Sequence, residues 1–263
     1  MSIKVKQLNA KIKKIQKVGK DTFLLKLYCP HIAKNALAGS FIHLRLKSFI
    51  LRRPFSVHRI EGENVYILFK VRGKGTNQLA KLKTNQTLDV IGPLGNAFNL
   101  SKQTKKTVNI LIAGGIGVAP LVLLAKTIKK AKLDKKTVKV LLGAQTKAEI
   151  LSEADFKKIG VKVDLATDDG SKGIKGTVVD LLKKELKALS LDTKINIYAC
   201  GPEVMFAAIH KVIKNNKKVS AQASFEQHMG CGLGFCCGCV IETKDGYKKV
   251  CKDGPVFDLK EVF

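Results

Sequence analysis

The residues best suited to chemistry are four cysteines near the C-terminus. Cys231, Cys236 and Cys239 follow the pattern C-x4-C-x2-C, and Cys251 comes after eleven further residues. Such spacing is typical of thiolates that hold two irons bridged by two sulfides. The segment is also rich in glycine, which suits a backbone that must wrap closely around a group of that size. The chain is therefore predicted to bind a [2Fe–2S] cluster and to transfer single electrons.

Two other uses of these cysteines fit the pattern less well. A structural zinc site would need two C-x2-C pairs, whereas only Cys236 and Cys239 form one. A disulfide framework belongs to short secreted chains, and this chain has 263 residues. Cys237 lies outside the ligand pattern and is interpreted as a spare thiol.

Length and composition bound the remaining possibilities. A chain of 263 residues with 45% hydrophobic residues can form two domains, or one large and one small. The start is charged and lacks the apolar core of a secretion signal. The longest largely apolar run, 109–125, is shorter than the roughly 20 residues of a membrane span and is interrupted by glycine and proline. Reduced cysteines suit the cytosol, so we expect a cytoplasmic protein without a membrane segment.

The formal charge of +27 raises the question of a nucleic-acid partner. The composition argues against one, because nearly all the basic residues are lysines spread along the chain, and tryptophan is absent. Base readout and phosphate forks favour arginine. We therefore expect a solvated lysine surface that binds no nucleic acid, with steering toward an acidic redox partner as a further possibility.

The first hundred residues have the pattern of an antiparallel β-barrel. Short segments rich in Val, Ile, Phe and Leu alternate there with turn residues. The predicted strands are Thr22–Leu27, Ser40–Leu46, Phe55–Ile60, Val65–Val71 and Thr87–Ile91.

From Val108 onward, apolar strands alternate with amphipathic helices, which predicts a doubly wound parallel sheet. The predicted strands are Val108–Ala113, Val138–Leu142, Val161–Ala166 and Ile195–Ala199, and the predicted helices are Pro120 to about Lys132, Val178–Leu189 and Glu203–Lys214. The tail is too short to fold around its own core and would be held by the cluster. We therefore predict three units: a barrel domain (1–100), an α/β nucleotide domain (101–222) and a small [2Fe–2S] subdomain (223–263).

Two motifs in the predicted barrel could contact a flavin nucleotide. Arg53-Pro54-Phe55-Ser56 offers a guanidinium fork for phosphate oxygens and a hydroxyl for the flavin ring. Gly73-Lys74-Gly75-Thr76 precedes a predicted helix, Asn77–Lys83, and could cradle a phosphate. Taken separately, the first motif is a weak signal, because an arginine in a turn is usually a surface residue, and the second is equally consistent with an ordinary loop.

Two further motifs lie where nucleotides bind to open α/β sheets, after the carboxyl ends of strands. The first is Gly114–Pro120, GGIGVAP, which differs from the usual G-x-G-x-x-G. The second is Tyr198–Pro202, YACGP, in which Cys200 could face a reacting ring or be a small buried thiol. A third polar stretch, Thr167–Ser171, has the composition of a simple turn.

In this order, the motifs resemble the ferredoxin–NADP reductase superfamily. With its cysteine tail, the whole chain resembles the electron-transfer subunits of two-subunit, NAD-dependent dihydroorotate dehydrogenases. The resemblance runs from about Gly39 to Phe257. The matching segments are LRRPFSV, LFKVRGKGT, IGPLGN, AGGIGVAP, ATDDGSKGIKG, YACGP and VCKDGPVF.

The resemblance implies a set of binding residues for three groups. For FAD they are Arg53, Pro54, Phe55, Ser56, Leu68, Phe69, Lys70, Gly75 and Thr76. For the nicotinamide nucleotide they are Gly114, Gly115, Gly117, Pro120, Cys200, Gly201 and Pro202. For the cluster they are Cys231, Cys236, Cys239 and Cys251. The chain departs from the family pattern at Cys237, where a noncysteine residue is expected, and at 225–228, where FEQH replaces a Leu-Glu-x-Arg-like run.

The resemblance also implies a function as a flavoprotein oxidoreductase subunit. NADH would reduce the FAD, and electrons would pass singly through the cluster to the FMN of a separate catalytic subunit, where orotate and dihydroorotate interconvert in pyrimidine biosynthesis. The assembly would be a heterotetramer with two copies of each subunit. The run GAQTKAEI (143–150) offers no arginine for a 2′-phosphate, which favours NADH over NADPH.

Two alternatives use the same residues. One is a sibling reductase with a different client, of the sulfide dehydrogenase or bifurcating transhydrogenase type. The other is a non-catalytic iron–sulfur redox sensor on a reductase-like scaffold. The scattered histidines are assigned no catalytic role: His31, His43, His58, His210 and His228.

Overall fold

Two seven-stranded sheets and one hairpin organise the chain. The structure is a computed structural model that describes residues 5–100, 107–130, 138–190 and 192–263. Within these ranges, none of the helices combines the length and the apolar character needed to cross a membrane.

The first sheet is antiparallel and closes into a barrel. Its edge strands, β4 and β5, are consecutive in the chain and only Val57 and His58 separate them, so the sheet must curl back on itself. This confirms the predicted N-terminal barrel. The spatial order is β4-β3-β7-β1-β2-β6-β5. The strands are β1 (Lys6–Gly19), β2 (Thr22–Tyr28), β3 (Phe41–Arg45), β4 (Arg53–Ser56), β5 (Arg59–Glu61), β6 (Asn64–Lys70) and β7 (Thr87–Leu94).

Some barrel elements differ from the predicted ones. The long strand β1 was not predicted, because lysines dominate it and only Ala10 and Ile12 are fully buried. The predicted strand Phe55–Ile60 is divided into β4 and β5. Two helices accompany the sheet, α1 (Pro30–Asn35) and α2 (Lys74–Ala80). Helix α2 begins three residues earlier than predicted, because the Thr76 hydroxyl accepts a hydrogen bond from the Arg72 N–H (2.8 Å) and closes the turn.

The second sheet has six parallel strands in the order β11-β10-β9-β8-β12-β13, which confirms the doubly wound prediction. The chain builds outward from β8 on one side and then continues through β12 on the other. The carboxyl ends of β8 and β12 therefore flank the point where ligands bind in such sheets. The strands are β8 (Thr107–Gly114), β9 (Val138–Ala144), β10 (Lys162–Thr167), β11 (Ile174–Lys175), β12 (Lys194–Cys200) and β13 (Val219–Ser224).

Helices cover both faces of this sheet. Leu121 and Val122 of α3 pack in the same apolar cluster as the barrel interior, whereas Leu182 of α5 and Phe206 of α6 pack in a second cluster. The helices are α3 (Leu121–Lys130), α4 (Glu153–Ile159), α5 (Val178–Ala188) and α6 (Glu203–Ile213). The last residues of the predicted helix ending near Lys132 lie outside the described ranges.

The C-terminal tail joins both sheets. It forms a hairpin of β14 (Val240–Thr243) and β15 (Gly246–Lys249), then β16 (Val256–Asp258), which pairs antiparallel with β13, and α7 (Leu259–Val262). From the barrel side, the amide of Asn96 donates to the carbonyls of Asp253 (2.9 Å) and Val256 (3.1 Å), and its oxygen accepts from the Val256 N–H (3.0 Å). The tail is thus held from two directions. The boundaries at 100 and 222 stay predictions.

Polar contacts also join the barrel to the second sheet. The ring Nδ1 of His58, a histidine with no predicted role, lies 2.9 Å from the carbonyl oxygen of Ala119. Arg59 donates to Asp155 at 2.6 Å, and Lys70 pairs with Glu149 at 2.9 Å. Burial acts to raise the pKa of Asp155, but His58 and Arg59 outweigh it and hold that pKa below its ordinary value.

We expect Asp155→Asn to lower the free energy of unfolding at pH 7 by about 2 kcal/mol, because a partly buried, charge-assisted hydrogen bond to Arg59 is weakened. Since the folded pKa is depressed, the stabilisation is present above about pH 4 and is lost as the pH falls through the folded pKa. Urea titrations at pH 7 and at acidic pH measure both effects.

The matched control is Asp192→Asn, which removes the carboxylate of an exposed pair with Lys218 and should change stability little. Equal losses in the two variants, or a loss at Asp155 that persists at low pH, would contradict the role given to the barrel–sheet contact.

Candidate functional site

A cavity of about 520 Å³ opens on one side of the barrel. Its walls include apolar rings such as Phe55 and Phe69, whose centroids are 5.9 Å apart in an edge-on arrangement. Such walls suit a flat aromatic group. Seven of the nine predicted FAD residues line the cavity: Pro54, Phe55, Ser56, Leu68, Phe69, Lys70 and Thr76.

The other two predicted FAD residues, Arg53 and Gly75, lie in contact with each other outside that lining. A Cβ at Gly75 would collide with Nε of Arg53, so only glycine leaves room for the guanidinium beside the first turn of α2. The guanidinium carbon lies 4.1 Å from the centroid of the Phe49 ring, and Nη1 donates to the Leu51 carbonyl at 2.7 Å. Arg53 is therefore held over the Gly73–Thr76 turn, where its fork can meet a phosphate.

A second cavity, of about 870 Å³, lies at the carboxyl edge of the parallel sheet. Five of the predicted nucleotide residues line it: Gly114, Gly115, Gly117, Gly201 and Pro202. A Cβ at Gly117 would collide with the carbonyl oxygen of Cys200, because the turn Gly115–Val118 packs directly on the end of β12. This close packing brings the glycine turn and the CGP turn to one place.

Pro120 and Cys200 do not line this cavity. The Cys200 side chain is buried in the core, and its thiol interacts with the hydroxyl of Ser224. Burial raises the pKa of the Cys200 thiol well above its ordinary value, and the nearby Glu226 raises it further. The thiol is therefore neutral at physiological pH. Its contact with a nicotinamide ring stays a prediction.

Four residues line both cavities and so connect them: Lys70, Arg72, Ile116 and Glu226. Glu226 and Arg72 were not among the predicted site residues. The Glu226 carboxyl is reached by solvent through the cavities but is otherwise enclosed by protein, and this enclosure raises its pKa against the opposing effect of Arg72. One signal could have found Glu226, because it is the first acidic residue after β13 ends at the ligand-binding edge of the sheet.

The four predicted cluster ligands fall into two pairs. The thiols of Cys231 and Cys236 interact with each other, and so do those of Cys239 and Cys251. Cys239 and Cys251 are 3% and 4% exposed, whereas Cys236 is exposed. An inner and an outer pair fit a cluster in which two thiolates bind each iron. Within the described ranges, no group of three or more His, Cys, Asp or Glu side chains is placed so that it could hold a single metal ion.

Backbone N–H groups point at the sulfur atoms of this loop. Those of Leu233 and Cys236 lie 3.4 and 3.5 Å from Sγ of Cys231, and that of Cys251 lies 3.4 Å from Sγ of Cys239. Burial acts to raise the pKa of Cys231, but the N–H groups lower it to about 6. Burial and the neighbouring Cys239 thiol raise the pKa of Cys251 to about 12, so metal binding would have to displace its proton. The donor set therefore fits a thiolate-bound cluster.

The cluster loop continues directly from the wall of the barrel cavity. Met229 lines that cavity and packs in the same apolar cluster as Cys239, Cys251 and Phe41. On the opposite side, Phe235 is 81% exposed next to the exposed Cys236. The inner ligands are thus packed toward the cavity, and the outer ligands face the surface.

Comparison with known families identifies all three regions. The model of the oxidoreductase FAD-binding domain matches residues 9–98, and that of the oxidoreductase NAD-binding domain matches residues 111–211. The model of the iron–sulfur cluster binding domain of dihydroorotate dehydrogenase B matches residues 226–263.

Similar proteins cover nearly the whole chain. The "dihydroorotate dehydrogenase B (NAD(+)), electron transfer subunit" of Fusobacterium nucleatum is 36% identical over 93% of this chain and 94% of its own. The protein of the same name from Geobacillus kaustophilus is 38% identical, with the same coverage. A structure of an NADH-dependent reduced ferredoxin-NADP oxidoreductase, described for electron bifurcation, superposes with a TM-score of 0.84 at 30% identity, over 97% of this chain and 89% of the other.

More distant structures show the fold alone. The ferredoxin-NADP+ reductase of Plasmodium falciparum, as its H286L mutant, superposes with a TM-score of 0.66 at 17% identity, over 82% of this chain and 96% of the other.

We expect Gly75→Ala to weaken FAD retention about tenfold, because the added methyl displaces the Arg53 guanidinium that we assign to the phosphates. Alanine otherwise favours the helix, so the fold itself should not suffer. Arg53→Ala should have the same effect. The flavin-to-protein ratio after dialysis, measured by absorbance, gives the result.

Gly73→Ala is the matched control, two residues earlier in the same loop. A Cβ there meets no described atom within 4 Å, and the backbone is extended, so flavin content should stay near that of the unchanged protein. If Gly75→Ala retains flavin as well as Gly73→Ala does, then Arg53 does not hold the phosphates.

Proposed function

This chain belongs to the family of electron transfer subunits of dihydroorotate dehydrogenase B, and on that basis we propose that it carries electrons between NAD(H) and a separate catalytic subunit. It would do so as a flavoprotein oxidoreductase subunit with FAD and a [2Fe–2S] cluster. When bound, FAD exchanges electron pairs with nicotinamide and single electrons with the cluster.

The observation that carries this proposal is the continuity of the three sites. We call the cavity beside the barrel the flavin cavity and the cavity at the edge of the parallel sheet the nucleotide cavity. Both are lined by Ile116 and Glu226. The flavin cavity is then bounded by 224–229, the segment that leads to the first cluster ligand, Cys231. Each carrier would therefore lie beside the next one, as electron transfer requires.

The chain's own residues would bind, orient and exclude water. Arg53 would hold the flavin phosphates, and the rings of Phe55 and Phe69 would keep solvent from the flavin. The turn Gly115–Val118, packed against Cys200, would set the depth at which the nucleotide enters. Glu226, whose pKa burial raises, would place a carboxyl where the two cavities meet.

The partner would dock on the exposed side of the cluster loop. We define the outer face as Leu233, Phe235 and Cys236, which are all accessible to solvent. An exposed phenylalanine beside a redox ligand suits burial in an interface. The net charge of +27 would favour an acidic partner and speed the encounter.

The finer details of the partner rest on the resemblance. We propose that it contains FMN, that it interconverts orotate and dihydroorotate, and that two copies of each subunit form a heterotetramer. NADH rather than NADPH and a cytoplasmic location remain predictions from the sequence. The sibling reductases and the non-catalytic sensor are not favoured, because the named relatives are dihydroorotate dehydrogenase B subunits.

The proposal is tested by anaerobic isolation of the tagged chain from its own cells. We expect a flavin-containing subunit to co-isolate in fixed ratio and the complex to reduce orotate with NADH. Phe235→Ala should lower the co-isolated amount about tenfold, because a large exposed ring is lost from the outer face.

Tyr28→Ala removes another exposed aromatic ring, on β2 outside the outer face, and should leave co-isolation unchanged. A complex without activity on orotate, or a different redox subunit as the partner, would refute the pyrimidine assignment. Equal yields from the Phe235 and Tyr28 variants would refute the docking position.

Cys239→Ser should abolish the cluster and leave reduction of the FAD by NADH intact, because Cys239 is a predicted cluster ligand that lines neither cavity. The cluster's visible absorbance and the bleaching of flavin absorbance by NADH report the two events separately.

Cys237→Ser changes the neighbouring exposed thiol, which lies outside the ligand pattern, and should retain the cluster. If the Cys239 variant keeps FAD but loses its reduction by NADH, the proposed order of electron flow is wrong.

A further inference from the structure

His43 is buried in an unusual place, on the face of the barrel that receives the cluster loop. Its side chain is 0% exposed, and neither ring nitrogen makes a well-aligned hydrogen bond among the described residues, although the backbones of Cys231 and Arg52 interact with the ring. A buried polar group without a full hydrogen bond is costly, so its retention calls for an explanation. The sequence pattern gave it no role.

The cluster loop packs directly against this ring. A Cβ at Gly232 would collide with Nδ1 of His43, and Gly232 also has a positive φ of 70°. The ring interacts with the backbone of Cys231 and with that of Arg52.

Strand β3 places His43 beside the flavin cavity. Side chains two residues apart on a strand face the same side, and Phe41, two residues before His43, lines that cavity. Phe41 also packs in one apolar cluster with Cys239 and Cys251. The same face of β3 therefore contacts the flavin cavity at Phe41 and the cluster loop at His43.

We propose that His43 is a positioning residue for the [2Fe–2S] cluster: once the cluster is bound, a ring N–H of His43 donates to the backbone of the Cys231–Gly232 segment and fixes the outer ligand relative to the flavin cavity. The inference rests on the proposed function, since it needs the cluster to be present. The ring is buried against Gly232 of the loop, and the segment it faces carries the predicted ligand Cys231.

The expected consequence follows from the N–H groups that surround Cys231. With the loop fixed, the N–H groups of Leu233 and Cys236 stay aimed at Sγ of Cys231. Hydrogen bonds to ligand sulfur favour the reduced, more negative cluster and so raise its potential. Loss of the His43 donor should loosen the loop, lower the potential and make the outer iron easier to remove.

The test compares His43→Phe with His43→Gln in the FAD-loaded protein. Phenylalanine keeps a ring but has no donor, and we expect cluster loss to a chelator to become about tenfold faster, with a more negative reduction potential. Glutamine keeps a buried N–H and should restore both values toward those of the unchanged protein. His31→Phe makes the same substitution on α1, outside both cavity linings, and should change neither value.

The outcomes separate the inference from its premise. Unchanged cluster release and potential in His43→Phe would overturn the positioning role, and so would a glutamine variant as defective as the phenylalanine one. If the phenylalanine variant fails to retain FAD, His43→Met replaces it in the same comparison. Absence of a [2Fe–2S] cluster in the unchanged protein would instead refute the proposed function.

Discussion

The attachment of the C-terminal tail to both sheets is the constraint on which the site depends. Asn96 holds residues 253–256 from the barrel, and β16 pairs with β13 of the parallel sheet. These contacts fix the cysteine loop against β3 and close one wall of the flavin cavity with 224–229. Three binding sites from three segments of the chain are thereby held at fixed separations.

The two cysteine pairs differ in burial, so the two ends of the cluster site differ in their access to solvent. The inner pair packs with Phe41 and Met229 next to the flavin cavity, whereas the outer pair approaches the surface beside Phe235. The pKa values of Cys231 in the outer pair and Cys251 in the inner pair are shifted in opposite directions. Hydrogen bonds favour the thiolate at Cys231, and burial disfavours it at Cys251. The protein thus differentiates the two ends of one cofactor site by solvent access and backbone donors.

The sequence predicted those features that local chemistry imposes. Cysteine spacing and the glycine turns at 114–117 and 201 could be recognised because a bound group and a close backbone approach demand those residues at those intervals. The roles of β1, Glu226 and His43 depend on distant partners. Strand β1 forms because β2 and β7 both pair with it, and His43 becomes significant only when the tail returns to the barrel. Such contacts leave no periodic signal in the chain.

Strand β16 has a second consequence, which concerns the exposed edge of the parallel sheet. Without it, β13 would present a row of unpaired backbone N–H and C=O groups, the usual template for association between copies. Strand β16, which follows the last predicted cysteine ligand by five residues, therefore covers residues 222–224 of the edge strand. A chain cut short before Val256 would keep all four predicted cluster cysteines but lose β16, so it would expose the edge of β13 to association between copies.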